Sequence, residues 1–268
     1  MRSGLAILAA IALASLLVGW LGPDPARQTL ARSLEAPGRE HAFGTDLVGR
    51  DLLARVLAGT RISLEIGVAA TAVSVLLGIA VGALAGYFGG ALDAVLMRAV
   101  DVLYGLPFVA FVVVLVLVFG RGVVNLFVAI GAVSWLTTAR IVRAEVRSLR
   151  AREFVLAARA LGASHARVIA VHILPNLLGT VVIYAALTVP IAIREEALLS
   201  FLGLGVEPPA ASLGSLVREG LGVLSPGRFE WWLLAFPGAA LVLVVAALNR
   251  LADGLRDRLD PRSGGGPP

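Results

Sequence analysis

Six stretches of this chain stay apolar for about the length that crosses a hydrocarbon layer, ~20 residues. They lie at 4–21, 64–88, 101–119, 123–139, 176–193 and 231–249. None shows the polar face that a helix at the surface of a water-soluble protein turns outward. In lipid a segment must satisfy its own backbone hydrogen bonds, which leaves helices as the answer for runs of this length. The expectation is therefore an all-α integral membrane protein with about six transmembrane helices. Composition agrees: 58% of the residues are hydrophobic and 15% charged, against roughly 45–50% apolar in soluble domains, and the mean hydropathy is +0.90. Pro107, Pro190 and Pro237 fall within these runs, and neighbouring helices accommodate proline in a membrane bundle. Trp231 and Trp232 open the last run and Arg250 closes it, as interface anchors do.

The first run admits two readings, because Arg2 followed by apolar residues also describes a secretory signal. Its length exceeds the usual apolar region of about 7–15 residues, and no clean A-x-A site follows the run before Gly22-Pro23-Asp24, so it is read as a retained span. With the N-terminus inside, the connection from 140 to 172 faces the cytoplasm. It carries Arg140, Arg143, Arg147, Arg150, Arg152, Arg159 and Arg167 against Glu145 and Glu153, which is the positive-inside pattern. The connection from 22 to 63 then lies outside, although it too is arginine-rich.

Several functions are excluded by what the chain lacks. All 23 basic side chains are arginine, so there is no lysine for a phosphate-cradling GxxxxGK[ST] loop. There is no cysteine and the histidines are His41, His165 and His172 alone, a poor supply for a metal site. The arginines flank apolar runs and do not form a groove interleaved with aromatics, so no nucleic-acid module is expected. The chain is expected to bind no cofactor and to perform no catalysis.

One segment departs from the apolar pattern. Residues 152–176 read REFVLAARALGASHARVIAVHILPN. Over 153–161 a helix places Phe154, Ala157, Ala158 and Leu161 on one side, with Arg152 and Arg159 nearly opposite. Gly162 suits the left-handed residue that ends a helix, and Ser164 can cap the next one. A second helix then runs through Val168 and Ile169 to Pro175, where the fifth span is expected to begin. A short helix held between two spans either rests on lipid headgroups or docks into another protein. Its small side chains favour docking, since a helix made for lipid carries bulkier apolar groups.

Ala157-Ala158-Arg159-Ala160-Leu161-Gly162 with Ile173-Leu174-Pro175 resembles the EAA loop of bacterial ABC-importer permeases. Further stretches extend the resemblance to the second permease subunit of the dipeptide, oligopeptide and nickel family. They are Phe43-Gly44-Thr45-Asp46 with Gly49-Arg50-Asp51, Gly86-Tyr87-Phe88-Gly89-Gly90, Leu199 to Gly205 with Pro208-Pro209, and Asp253 to Asp257 with Leu259-Asp260-Pro261. The likeness spans about residues 41–262. It implies a type I ABC-importer fold with a cytoplasmic coupling helix, and a division into an N-terminal span and connector (1–40), a permease domain (41–262, with the coupling loop at 151–176) and a short tail (263–268). It implies a homologous permease as heterodimer partner, two P-loop ATPase subunits that use ATP and Mg, an extracytoplasmic solute-binding protein, surrounding lipid, and a multi-pass location in the bacterial cytoplasmic membrane. The residues carried onto the ATPase-coupling role are Glu153, Phe154, Ala157, Ala158, Arg159, Ala160, Leu161 and Gly162. The glutamate that opens the family's signature is Leu156 here, so its polar contact is either missing or made by Glu153 or a neighbour.

Other features carry alternatives. The segment from Phe43 to Asp51 is either an outer helix and loop beside a partner, or a solvated connector with Asp51 and Arg55 paired at i, i+4. The FLGLGVEPP stretch is a loop beside the translocation path or a simple re-entry turn, since its glycines and prolines forbid regular helix. Arg194, Glu195 and Glu196, with Phe201, Gly203 and Gly205, are candidates for the pathway or an outer gate. Asp93, Arg98 and Asp101 read as a local charge set at a helix end. The leading function is the membrane-spanning subunit of an importer for short peptides. Import of nickel or another small solute, a secondary transporter and a non-transporting scaffold are the alternatives. A secondary transporter would show repeated halves and midspan charges, and a scaffold would leave the coupling segment without a task.

Overall fold

The computed structural model describes residues 23–223 and 229–259, and these are helical apart from connecting loops and one isolated antiparallel bridge between Thr45 and Asp51. Eight helices follow in order: α1 (Leu52–Phe88), α2 (Gly90–Tyr104), α3 (Phe108–Phe119), α4 (Val123–Arg150), α5 (Glu153–Ala160), α6 (His165–Phe201), α7 (Leu213–Val223) and α8 (Trp232–Leu259). A single 3₁₀ turn, Leu30–Arg32, lies in the connector before α1.

Four of these helices, α1, α4, α6 and α8, are long and apolar enough to cross a membrane, and α2 with α3 makes a fifth if the bent pair counts as one span. The expected first span, 4–21, lies outside the described residues. The expected third span is corrected: 101–119 is not one helix but the end of α2 and the whole of α3, bent by 94°. Proline at 107 has no N–H to give and forces the preceding residue out of the helical region, so α2 stops at Tyr104 and the chain restarts at Phe108. The fifth span is also longer than expected. Pro175 does not open it; α6 runs unbroken from His165, with a π-helical segment at Val168–Ile173 in which the Leu174 N–H reaches back to the Ile169 carbonyl. The widened turn just before the proline gives its ring room where an α-turn would set it against a carbonyl.

The helix pair α1–α4 forms the centre. Gly78, Gly82 and Gly86 lie one turn apart on α1 and face α4 with no side chain between the backbones. A Cβ at Gly82 would lie 2.5 Å from the Ala139 carbonyl oxygen and one at Gly86 2.6 Å from that of Arg143. Gly131 returns the contact from α4, where a Cβ would meet Val73 at 2.7 Å. The Ser74 and Thr138 hydroxyls, 3.1 Å apart, bond across the seam. Around this pair, α6 lies against α1 at Gly67, into which Ile193 fits, and α3 covers Val112 and Val116 against Leu126 and Ile130.

The connectivity divides the bundle into two ends. α1, α4 and α8 run toward one end, and α2–α3 and α6 run back. That end gathers the end of α1, the start of α2, the arginine-rich end of α4, α5 and the start of α6. There Arg143 makes a two-pronged pair with Asp93, and Arg140 reaches Asp101 at 2.7 Å. Asp93 and Asp101 therefore do not form a local set; they tie α2 to α4. The opposite end holds the loop 43–51, the loop 202–212, α7 and the start of α8.

Substituting Gly82→Val should lower the unfolding midpoint of the purified protein in detergent, at a cost of about 1–3 kcal/mol or more for overpacking a close backbone contact. Gly179→Ala, where a Cβ meets nothing within 4 Å, should leave the midpoint at or slightly above wild type. Equal midpoints for both variants would remove the glycine seam as the centre of the fold.

Candidate functional site

At the arginine-rich end, α5 is a helix of two turns held by one residue. Val155 is fully buried among Val142, Val146 and Leu149 of α4, Val168 and Ile173 of α6, and Tyr87 of α1. Phe154, Leu156, Ala157, Arg159, Ala160, Leu161, Gly162 and Glu153 are exposed and Ala158 is half-buried. Leu161 is 88% exposed and Phe154 39%, so the stripe of Phe154, Ala157, Ala158 and Leu161 faces away from the rest of the chain. Val155, which belongs to neither of the two faces read from the sequence, is the anchor. Leu156, at the position of the expected glutamate, points outward beside Glu153, which makes no ion pair among the described residues.

The end of α5 follows from its residues. Gly162 takes φ +84°, its N–H bonds the Arg159 carbonyl, and the Ala163 N–H bonds that of Ala158. This is the paired closure in which glycine at the left-handed position satisfies the last carbonyls. Ser164 then accepts from the Arg167 N–H at 3.3 Å and caps α6. One link here was not expected from sequence: the Tyr87 hydroxyl, in the last turn of α1, lies 2.9 Å from Nδ1 of His165, the first residue of α6. No short-range pattern joins positions 78 residues apart.

At the opposite end, Asp46, Arg50, Arg55 and Glu219 form one cluster. Arg55 is 2% exposed, and its guanidinium donates to Asp46 at 2.7 Å and to both Glu219 oxygens at 2.6 and 3.1 Å. Arg50 reinforces both carboxylates. Asp46 also accepts from the N–H groups of Val48 and Arg50. The cluster pins the connector to α7. Phe43 stacks on Phe236 with ring centroids 3.9 Å apart, and the Trp232 indole donates to the Thr45 carbonyl, which pins the connector to α8. The segment 43–51 is thus a packed loop, not a solvated connector. Asp51 pairs with His41 at 2.8 Å and caps α1 through the Ala54 N–H; the Asp51–Arg55 side-chain pair of the alternative reading does not form.

The other candidates at this end separate. Glu196 is fully buried and accepts from Ser63 at 2.9 Å and Ser200 at 2.6 Å. Ser63 also accepts from the Leu213 N–H, so one carboxylate joins α1, α6 and the start of α7. Glu195 reaches Ser134 of α4 at 3.4 Å, and Arg194 is exposed. Gly203 and Gly205 line a cavity of about 390 Å³ with Arg121, Ser200, Glu207, Ser215 and Arg218, which Phe201 does not line. Gly205 lies so close to Ser200 that no Cβ fits there. A second cavity, about 370 Å³, opens on the Asp46–Arg55–Glu219 cluster beside Leu216 and Leu233. Among the described residues no group of histidines and carboxylates is placed to hold a metal.

Residues 78–264 match the family model described as "Binding-protein-dependent transport system inner membrane component". A dipeptide transport system permease protein of Bacillus subtilis is 41% identical over 97% of this chain and 81% of its own length. An oligopeptide transport system permease protein of Escherichia coli K12 is 50% identical over 85% of this chain and 75% of its own. Among solved structures, an amino acid ABC transporter aligns with TM-score 0.58 and 18% identity over 77% of this chain and 95% of that one. An inward-facing MetNI methionine ABC transporter gives TM-score 0.58 and 18% identity over 78% and 97%. At that identity the two structures show the fold, that of an ABC-importer permease.

Replacing Arg55 by Met should cost on the order of 3 kcal/mol of stability, the lower end of the range for breaking a buried pair, because Arg50 still covers Asp46. The double variant Arg55→Met/Glu219→Met should regain part of it. Thermal unfolding in detergent reads both, and a double variant below the single one would show that the cluster is not a unit.

Proposed function

The chain belongs to the family of inner-membrane components of binding-protein-dependent transport systems, and from that premise we propose that it forms half of the translocation pathway of an ATP-driven importer of di- and oligopeptides. It is a multi-pass, non-catalytic subunit. The observation that carries the reading is the outward stripe of α5, fixed to the bundle by Val155 and closed by Gly162. The likeness to dipeptide and oligopeptide permeases supplies the solute class.

In this reading α5 and the arginine-rich end face the cytoplasm of a bacterial inner membrane, as the positive-inside pattern asks. Two P-loop ATPase subunits bind there and use ATP and Mg; the chain itself has no lysine to hold a phosphate. A homologous permease supplies the other half of the pathway, and an extracytoplasmic solute-binding protein delivers peptide to the end formed by loops 43–51 and 202–212. Between 22% and 39% of the most apolar window of each span is buried within the chain, so the rest is free to meet lipid and the partner permease.

Force then has a physical route. ATPase closure shifts α5, and Val155 passes the shift to α4 and to the start of α6. The 37 residues of α6 make a rod of about 55 Å, longer than the ~30 Å hydrocarbon layer. Its far end carries Ser200 and the loop 202–212, so a tilt at one face becomes a displacement of cavity walls at the other, a rigid-body switch between two packings. The family relationship sets aside the secondary transporter.

Purification of the tagged chain from native membranes should recover a second permease and P-loop ATPases. Reproducible recovery of the folded chain alone would overturn the importer reading. Ala158→Glu should reduce ATPase recovery at least tenfold, with membrane insertion unchanged; undiminished recovery and uptake would show that the stripe is not the docking face.

A further inference from the structure

The last turn of α1 and the first residue of α6 lie on either side of the turn that follows α5, and they are joined by one polar contact. Tyr87 is 4% exposed and sits in the cluster of Ala83, Val142, Val146, Leu149, Val155, Val168, Ile173 and Leu177. Its hydroxyl reaches Nδ1 of His165 at 2.9 Å. The His165 ring also meets the rings of Tyr87 and Phe88 edge-on, at centroid distances of 5.6 and 5.8 Å. A buried hydroxyl needs a partner, and here that partner stands one residue beyond the Ser164 cap.

We propose that Tyr87 and His165 are a positioning pair that makes α1 move with the coupling helix. The inference rests on the importer reading above. Val155 ties α5 to α4, to α6 and to the end of α1 through apolar packing, which tolerates sliding. The hydrogen bond fixes direction and distance, and it joins the turn 161–164 to the end of α1. That end is itself locked to α4 through Gly82 and Gly86. A push on α5 therefore reaches the α1–α4 pair from two points, Val155 and His165, and turns it as a body. Without the second point α5 can slide against the end of α1 before the pair follows. Tyr87 and His165 touch neither solute nor nucleotide; they act through the helices they hold.

The test uses the complete transporter purified through this chain and placed in vesicles. Tyr87→Phe keeps the ring and its packing and removes only the hydroxyl; His165→Ala removes the imidazole partner, and His165→Asn keeps a polar group near the Nδ1 position. Two quantities are read: uptake of tri-alanine per ATP hydrolysed, and stimulation of ATP hydrolysis by the binding protein purified from the same cells. Tyr87→Phe and His165→Ala should each lower both by at least fivefold, with the KM for ATP within twofold of wild type and the ATPase still bound, and His165→Asn should recover to within twofold. Tyr87→Phe with wild-type stimulation and wild-type uptake per ATP overturns the pair. So does an effect that His165→Asn fails to rescue, which would mark His165 as packing only. Wild-type vesicles that respond to the binding protein but take up no tri-alanine remove the peptide assignment and leave the pair to be judged by the stimulation. A wild-type chain that brings no ATPase removes the importer reading and this inference with it.

Discussion

The approach of α1 to α4 along Gly78, Gly82 and Gly86 is the contact on which the rest of the structure depends. Lipid tails are as apolar as leucine, so two spans gain nothing from hiding hydrocarbon from one another and must gain from close contact instead. Three glycines at four-residue spacing bring α4 against α1, with the Thr138 side chain over Gly78 and the Ala139 and Arg143 carbonyls where Cβ atoms of residues 82 and 86 would be. Once that seam is set, the Arg143–Asp93 pair places α2, the Val142–Val146–Leu149 face offers a seat for Val155, and Gly67 offers a notch for Ile193 of α6.

Polar groups do at the ends what glycine does at the middle. Burying a guanidinium is costly unless both its charge and its N–H groups are satisfied. Arg55 meets that demand with two carboxylates contributed by segments 9 and 164 residues away. The same logic fixes Glu196, whose carboxylate is fully buried and takes hydrogen bonds from Ser63 and Ser200. Such groups do not favour association as strongly as their count suggests, but each one rejects arrangements in which it is left unpaired. They make this end of the bundle specific: α7 and the loop 202–212 have one place to sit.

The parts legible in the sequence are those encoded over a few residues. The apolar runs give the spans, and Ala-Leu-Gly at 160–162 gives the end of α5, down to the positive φ of Gly162. The same signal recurs unread at Phe201-Leu202-Gly203: the Gly203 N–H bonds Ser200, the Leu204 N–H bonds Leu199, and φ is +85°. It was masked by the prolines that follow. The 94° break at Pro107 was also local, yet the apolar run on either side of it reads as one span. The GxxxGxxxG spacing of 78–86 could have named the α1–α4 seam, though not its partner helix. The Arg55–Glu219 and Tyr87–His165 contacts had no such signal, because their partners are brought together only by the completed bundle.

The two glycine-closed helix ends explain why one helix can serve both faces of the membrane. α5 ends at Gly162 immediately before α6 begins, and α6 ends at Gly203 immediately before the cavity-lining loop. In each case the closure satisfies the last carbonyls within the helix itself, so neither end needs a neighbour to complete it and both are free to shift as units. Between them α6 is continuous; it carries a π segment at Val168–Ile173, beside the Val155 contact, and Pro190 in its second half. Under the coupling proposed for α5, a widened turn beside Val155 lets α5 reseat against α6 without breaking the helix that leads on to Ser200.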